Sequence, residues 1–300
     1  MTGSVLVTCA CGFVGRGVVR RLVEGGWDVH AVTRDPGASL DGATLHEADL
    51  LAEPTAVVEH VRPAALVHLA WCTEHGSFWS SPANLRWVSS SLRLIAAFAE
   101  AGGSRAVVAG TCAEYDWTTG ATVLREDAPL APATLYGAAK AGLHTIAAAY
   151  AAQHGTSLAW GRVFFPYGPG EGASRLIPSV AQALLDGRTA DTTAGAQLRD
   201  FVHVDDVAAA FAALAGSDGT GAFNIGSGAG TSVRAVAELL GALAGRPDLV
   251  RVGALPDRPG DPPAVVADIA RLRAQAGWAP RVSLEDGLAG ELEFLSAQGR

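Results

Sequence analysis

Ser4-Val-Leu-Val-Thr8-Cys9-Ala-Cys11-Gly12-Phe-Val-Gly15 decides the fold of this chain. Ser4 to Thr8, a short run rich in β-branched residues, reads as a strand, the glycine-containing stretch as a turn, and the apolar spacing from Gly12 to Glu24 as a helix. In a strand-turn-helix unit, backbone N–H groups and the helix dipole receive a dinucleotide pyrophosphate. Gly12 and Gly15 stand where the second and third glycines of such a loop stand, with Phe13 and Val14 between them. Cys9 takes the place of the first glycine, and its Cβ predicts a different turn that weakens the hold on a cofactor.

The alternation continues down the chain. Strand-like runs occur at Asp28 to Thr33, Ala64 to Leu69, Ala106 to Ala109 and Ser157 to Phe164, and helical spacing at Asn84 to Ala101 and Tyr136 to His154. Strands separated by helices predict right-handed βαβ units, so the expected class is α/β with a Rossmann-type doubly wound parallel sheet. After Pro166 the texture changes to the turn-rich Tyr167-Gly-Pro-Gly-Glu-Gly. Residues 1–165 are therefore expected to form the dinucleotide-binding domain, with 201–228 returning to it. Residues 166–200 and 229–300 then make a smaller α/β substrate lobe.

Composition narrows the partners. A net charge of −8 over 300 residues, with no basic stripe, argues against a nucleic-acid or anionic-membrane surface. No apolar run reaches membrane-spanning length, and the first residues lead directly into a strand without a basic leader, so the expected location is cytoplasmic. Cys9, Cys11, Cys72 and Cys112 are expected to be reduced, buried side chains, with no metal site.

Two short patterns carry chemistry. The one lysine among 22 Lys and Arg residues is Lys140, four residues after Tyr136. On a helix this spacing stacks both side chains on one face, where an ammonium lowers a phenol's pKa and makes it a proton donor and acceptor. At the end of the second strand, Thr33 stands where an acidic residue would hold the ribose of NAD, and Arg34 follows, placed for a 2′-phosphate. That favours NADP(H), with NAD(H) as the second option. Asp49 lies near the third strand's end, suited to the adenine amino group or to capping a helix.

These features combine with Val-His68-Leu-Ala, Gly-Thr111-Cys-Ala-Glu-Tyr, Arg162-Val-Phe-Phe-Pro-Tyr-Gly-Pro-Gly, Arg199-Asp-Phe-Val-His-Val-Asp-Asp, Phe223-Asn-Ile-Gly-Ser-Gly and Arg258-Pro-Gly-Asp. Together they resemble the extended short-chain dehydrogenase/reductase family, in its nucleotide-sugar epimerase/dehydratase/reductase branch, over nearly the whole chain. The resemblance implies Thr111, Tyr136 and Lys140 as catalytic residues. It implies that Leu50, Leu69, Ala70 and Phe164 line the cofactor, and that Trp71, Thr73, Cys112, Phe165, Arg175, Arg199 and Arg258 meet the substrate. Arg199 and Arg258 would clamp the diphosphate of a nucleotide sugar, with Arg175 adjoining. It also implies a homodimer built on the helices around 84–101 and 136–154.

Departures from the family pattern shape the expected activity. Where the 4,6-dehydratases carry Asp-Glu after the catalytic Thr, this chain has Cys112 and Ala113, and Phe165 replaces the usual Asn. Dehydration is thereby disfavoured. The expectation is an NADP(H)-dependent reductase of a nucleotide-linked keto-deoxysugar, acting at C4. The alternatives are an NAD-dependent C4 epimerase, a reductase of a non-sugar ketone, and a redox-sensing regulator without catalysis.

Overall fold

The structure, a computed structural model, describes residues 3–72, 74, 76–257 and 259–298. Seven strands, β1 (Ser4–Thr8), β2 (Asp28–Thr33), β3 (Ala43–Glu47), β4 (Ala65–His68), β5 (Arg105–Thr111), β6 (Ser157–Val163) and β7 (Gly221–Ile225), form one sheet. All are parallel, in the order β7-β6-β5-β4-β1-β2-β3. The order reverses between β1 and β4, and at such a switch point a doubly wound sheet opens its ligand crevice beyond the carboxyl ends of the strands.

Nine helices accompany the sheet among the described residues: α1 (Gly15–Glu24), α2 (Ala56–Val61), α3 (Ala83–Glu100), α4 (Leu135–Gln153), α5 (Leu176–Leu185), α6 (Val204–Ala215), α7 (Val233–Leu243), α8 (Ala270–Ala276) and α9 (Leu284–Gln298). Alternate strand residues sort into two cores. Val5, Val7, Val67 and Val107 pack with Val18 and Leu22 of α1 and Phe211 of α6. Leu6, Leu66 and Val108 pack with Leu94 and Phe98 of α3 and Leu143 of α4. Both faces are buried, which is why these strands read as unbroken apolar runs rather than as alternating ones. A third core joins Ile177 and Leu184 of α5, Leu240 of α7, and Leu288 and Leu292 of α9.

Within 201–228, the segment expected to return to the dinucleotide-binding domain, the strands divide between two sheets. Strand β7 pairs with β6, and α6 packs on α1. Phe201–His203 pairs instead with Phe165–Tyr167. Leu198–Arg199 joins a separate sheet with Thr231–Ser232, Ala264–Ala267 and Val123–Leu124. Among the described residues no helix is long and apolar enough to cross a membrane.

The turn after β1 keeps its tight shape despite Cys9. This residue adopts φ +54°, the left-handed conformation that glycine usually supplies, and its carbonyl accepts the Gly12 N–H at 2.9 Å. The chain enters α1 only at Gly15, because Gly12 to Val14 are spent on the turn. Gly15 is the tightest point, since a Cβ there would lie 2.0 Å from the Cys9 carbonyl oxygen and 2.9 Å from the Ala10 carbonyl carbon. Gly15→Ala is expected to destabilise the protein by about 1–3 kcal/mol, the range for forced overpacking. Urea unfolding measures it, and a change under about 0.5 kcal/mol would show that the turn yields freely.

Candidate active site

Strand β5 delivers Thr111 to the carboxyl edge of the sheet, where the chain turns through the short 3-10 helix Cys112–Glu114. Thr111 is extended and caps that turn, its hydroxyl accepting from the Ala113 N–H at 3.2 Å. Behind it the fully buried Glu114 folds back. Its Oε1 accepts from the Thr111 N–H and the Trp160 indole, both at 2.9 Å, and its Oε2 from Arg162 Nε at 2.8 Å. Arg162 also donates to Tyr115 Oη at 3.0 Å, and Tyr115 donates to Asn224 Oδ1 at 2.6 Å. Glu114, Tyr115, Arg162 and Asn224 lie inside the motifs quoted above, yet sequence reasoning assigned them no role. A charged residue in the middle of an otherwise apolar strand, such as Arg162, is the signal that a buried partner exists.

Helix α4 places Tyr136 and Lys140 against this turn. Thr134 caps the helix by accepting from the Gly137 N–H at 3.1 Å. A Cβ on Gly137 would sit 2.2 Å from the Ala113 carbonyl oxygen, so glycine permits the close approach that brings the Tyr136 phenol beside Thr111. Tyr136 is half-buried, with Phe78, Trp79 and Trp71 edge-on at 5.0, 5.7 and 6.5 Å between ring centroids. Its N–H donates to the Trp79 carbonyl at 3.1 Å. This aromatic surround was not anticipated, although Phe78-Trp79 beside Trp71 is visible as a local enrichment.

The expected tuning of Tyr136 by Lys140 is not what the structure shows. Burial dominates and pushes the phenol up, while the Thr111 hydrogen bond and the Arg175 charge pull the other way. Lys140 is itself buried and donates to the Ala109 carbonyl at 2.7 Å, with its Nζ 3.8 Å from the centre of a Trp71 ring. Desolvation brings its ammonium down to about 7, against the opposing pull of Glu114. Trp71, expected to face a sugar, is buried in the core, with its indole N–H donated to Asn84 Oδ1 at 2.8 Å. It meets the site as the platform under Lys140.

The β1 and β4 ends are locked together by one hydroxyl. Thr8 Oγ1 accepts from the Leu69 and Ala70 N–H groups at 3.0 and 3.1 Å and lies 2.8 Å from His68 Nδ1. With both lone pairs used, the hydroxyl proton goes to Nδ1, so the His68 hydrogen sits on Nε2 and is donated to Ser91 Oγ at 2.8 Å. Burial holds this imidazole neutral, its pKa pulled down to about 3.

Around this edge, Phe13 and Val14 are half-buried and Phe13 reaches toward Gly170. Arg34 is exposed at the tip of β2, near enough for its charge to act on Cys9. The Asp49 carboxylate accepts from the Leu51 N–H at 3.0 Å and shapes a turn. Leu50 is buried, and its carbonyl accepts from the Ser90 hydroxyl.

On the other side of Tyr136, Cys112 and Phe164 are buried, and burial pushes the Cys112 thiol up to about 12. Arg199 is buried beneath the half-buried Phe165, its guanidinium 5.6 Å from the ring centre. It donates to the Leu198 and Pro262 carbonyls at 2.8 and 2.9 Å and pairs with Asp261 at 2.5 Å. Arg175 stands at the start of α5 with its guanidinium 5.4 Å from the Phe78 ring centre, and its charge reaches both Tyr136 and Glu171. Thr73 and Arg258 lie outside the described residues. The expectation of four buried thiols holds for Cys112 and fails for Cys9, which is exposed.

Known proteins resemble this chain along nearly its whole length. Residues 5–226 match the model of the NAD dependent epimerase/dehydratase family. A UDP-glucose 4-epimerase of Mycolicibacterium smegmatis is 30% identical over 309 residues, covering 97% of this chain and 97% of the relative. A dTDP-glucose 4,6-dehydratase of Streptomyces griseus is 33% identical over 184 residues, covering 61% of this chain and 54% of the relative. The solved structure of MoeE5 in complex with UDP-glucuronic acid and NAD superimposes with a TM-score of 0.88 at 31% identity, covering 99% of this chain and 100% of that one.

Two carboxyls near the site are exceptional. Glu171 Oε2 and Glu291 Oε2 are buried without a hydrogen-bond partner among the described residues. Burial drives Glu171 up to about 8, with Arg175 opposing and Glu291 adding to the rise. The folded chain therefore keeps a proton that the unfolded chain releases near its ordinary value of 4.5, so stability is full below that pH and declines as pH rises toward 8. Glu171→Gln should flatten this decline. Thermal midpoints of both proteins at pH 5 and pH 8 check it, and parallel curves would remove Glu171 from the account.

Proposed function

Because this chain belongs to the NAD-dependent epimerase/dehydratase family, an extended short-chain dehydrogenase/reductase group of nucleotide-sugar enzymes, we propose that it is a nucleotide-sugar C4 epimerase that keeps NAD bound through both half-reactions. The observation that carries this reading is the placement of Tyr136 beside Thr111, with Lys140 one turn along the same helix, together with a buried, fully engaged Glu114. Epimerisation needs one proton acceptor and donor at the sugar hydroxyl. Elimination of water needs a further acid and base, and Cys112, Ala113 and Glu114 offer neither.

The turn after β1 fits a dinucleotide. Gly12 and Gly15 let the turn close tightly on Cys9 and Ala10 at the head of α1, and Leu69 and Ala70 are fixed by Thr8 at the adjoining strand end. Bound there, the nicotinamide would supply reversible hydride transfer. Tyr136 Oη would take the proton of the substrate hydroxyl and later return it, while the Thr111 hydroxyl holds the same oxygen. Lys140, lifted into its position by the Ala109 carbonyl and the Trp71 face, would hold the ribose. Arg175, whose guanidinium already acts on Tyr136, is the better placed cation for the diphosphate. Arg199, paired with Asp261, would need to exchange that partner. We assign segments 166–200 and 229–300 to substrate binding on the same grounds.

A second reading is favoured by Arg34, whose exposed position beside the turn suits a 2′-phosphate: an NADP(H)-dependent ketoreductase. Cofactor exchange separates the two. An epimerase should purify with NAD and interconvert C4 epimers of a UDP-sugar without added cofactor, and Tyr136→Phe should lower turnover by ~10²-fold or more with NAD still bound. Consumption of NADPH in proportion to product would overturn the epimerase in favour of the reductase.

The homodimer is retained in this proposal. Helices α3 and α4 pack side by side and expose Leu85 and Ile146, at 61% and 53% of their full area. Sedimentation should find wild type as a dimer at micromolar concentration and Ile146→Glu as a 30.6 kDa monomer. A monomeric wild type would remove the assembly from the account.

A further inference from the structure

The thiols of Cys9 and Cys11, in the turn between β1 and α1, take no part in the chemistry above. Cys9 is exposed, and Cys11 is half-buried two residues on. The Cys9 Sγ leans over the turn, 2.7 Å from the point that a Cβ on Gly12 would occupy. It thus lies against the bare backbone that fits a pyrophosphate. Two residues apart, the Cα atoms can be separated by at most about 7 Å, and the turn closed by the Gly12 N–H on the Cys9 carbonyl bends the chain at Ala10 and shortens that span toward the ~5.5 Å a disulfide prefers. Burial raises the Cys9 thiol, Arg34 at the tip of β2 opposes the rise, and the neighbouring Cys11 adds to it. The remaining thiols lie elsewhere: Cys72 follows β4 and Cys112 is buried behind Thr111.

We propose that Cys9 and Cys11 are a modification site for low-molecular-weight disulfides, and that the Cys9–Cys11 bond so formed shuts the turn to the dinucleotide. The inference rests on reading that turn as the cofactor cradle. The Cys11 thiolate attacks one sulfur of the small disulfide, whose S–S bond breaks and releases one thiolate. The Cys9 thiolate then attacks the Cys11 sulfur of the mixed disulfide and expels the second small thiolate. Two electrons pass from the protein thiols to the reagent, and the two thiol protons end on the two released thiols. Joining the side chains draws Cys9 Sγ across Gly12 and re-aims the amides that a pyrophosphate would use. A bound dinucleotide covers the same surface and should protect both thiols.

The test uses the full-length reduced protein and oxidised glutathione. After acid quenching and tryptic digestion, the peptide ending at Arg16 holds both cysteines, and mass spectrometry distinguishes an internal disulfide from a glutathione adduct. The expected result is the internal disulfide, formed roughly tenfold more slowly in saturating NAD. NAD affinity measured by calorimetry should fall at least about tenfold and return with dithiothreitol. Cys9→Gly, which supplies the residue that the backbone there favours, should take one glutathione on Cys11 and form no internal bond, and Cys11→Ser should take it on Cys9. Absence of the internal disulfide, or a disulfide-bonded protein that binds NAD as well as the reduced one, would overturn the proposal. NAD binding by the reduced protein tests the cradle by itself, so failure there strikes the cofactor reading while the peptide mass still decides the thiol pair.

Discussion

The Glu114 carboxylate, fully buried among the Thr111 amide, the Trp160 indole and the Arg162 guanidinium, is the interaction on which the rest of the site depends. Removing either member of such a buried ion pair costs about 3–5 kcal/mol, because the charge left behind has no water to turn to. Here the cost is shared by function. One oxygen of Glu114 fixes the backbone of Thr111, and through Arg162 and Tyr115 the other reaches Asn224 on β7, at the edge of the sheet. Asn224 in turn donates to the Leu124 and Asp268 carbonyls, so the strands that cover the site hang from the same chain of bonds. The network is satisfied at almost every atom, which is the condition under which buried polarity specifies a single arrangement.

Against this rigid back wall the front of the site is electrostatically tense. Lys140 and Tyr136 are both pushed toward their neutral forms by burial, the ammonium to about 7 and the phenol upward. Each gains from a charge of the opposite kind arriving nearby, so the pair is organised to respond to what binds beside it. The ring faces of Trp71 and the edges of Phe78 and Trp79 exclude water without supplying hydrogen bonds that would compete for the phenol.

Much of this was legible in local sequence. The strand-turn-helix of residues 4–24, the alternating strands and helices, and the Tyr136/Lys140 spacing depend on neighbours within a few positions, and periodicity reports such neighbours directly. Boundaries agree closely for α3 and α4, whereas α1 begins three residues late because the turn consumes Gly12 to Val14. What escaped depends on contacts distant along the chain. Glu114 meets Arg162 across 48 positions, Arg199 meets Asp261 across 62, and the bond from Lys140 to Ala109 spans 31. The spacing placed Lys140 on the correct face but could not say that a carbonyl and an indole would claim its charge before the phenol did. Nor could it say that Arg199, expected to meet a substrate, already has an anionic partner.

Asp200, next to that arginine, is completely buried and receives four donors on two oxygens: the Ser227 N–H and hydroxyl on Oδ1, the Gly228 and Ala267 N–H groups on Oδ2. An asparagine would match it in shape to within an atom. Yet an amide NH2 turned toward Gly228 and Ala267 would leave both N–H groups without an acceptor, and turned the other way it would face the Ser227 N–H. The position is thus set by polarity and not by volume. Two stretches of chain that approach from opposite directions, 227–228 and 267, are sorted into place by a knot of acceptors that tolerates no isostere.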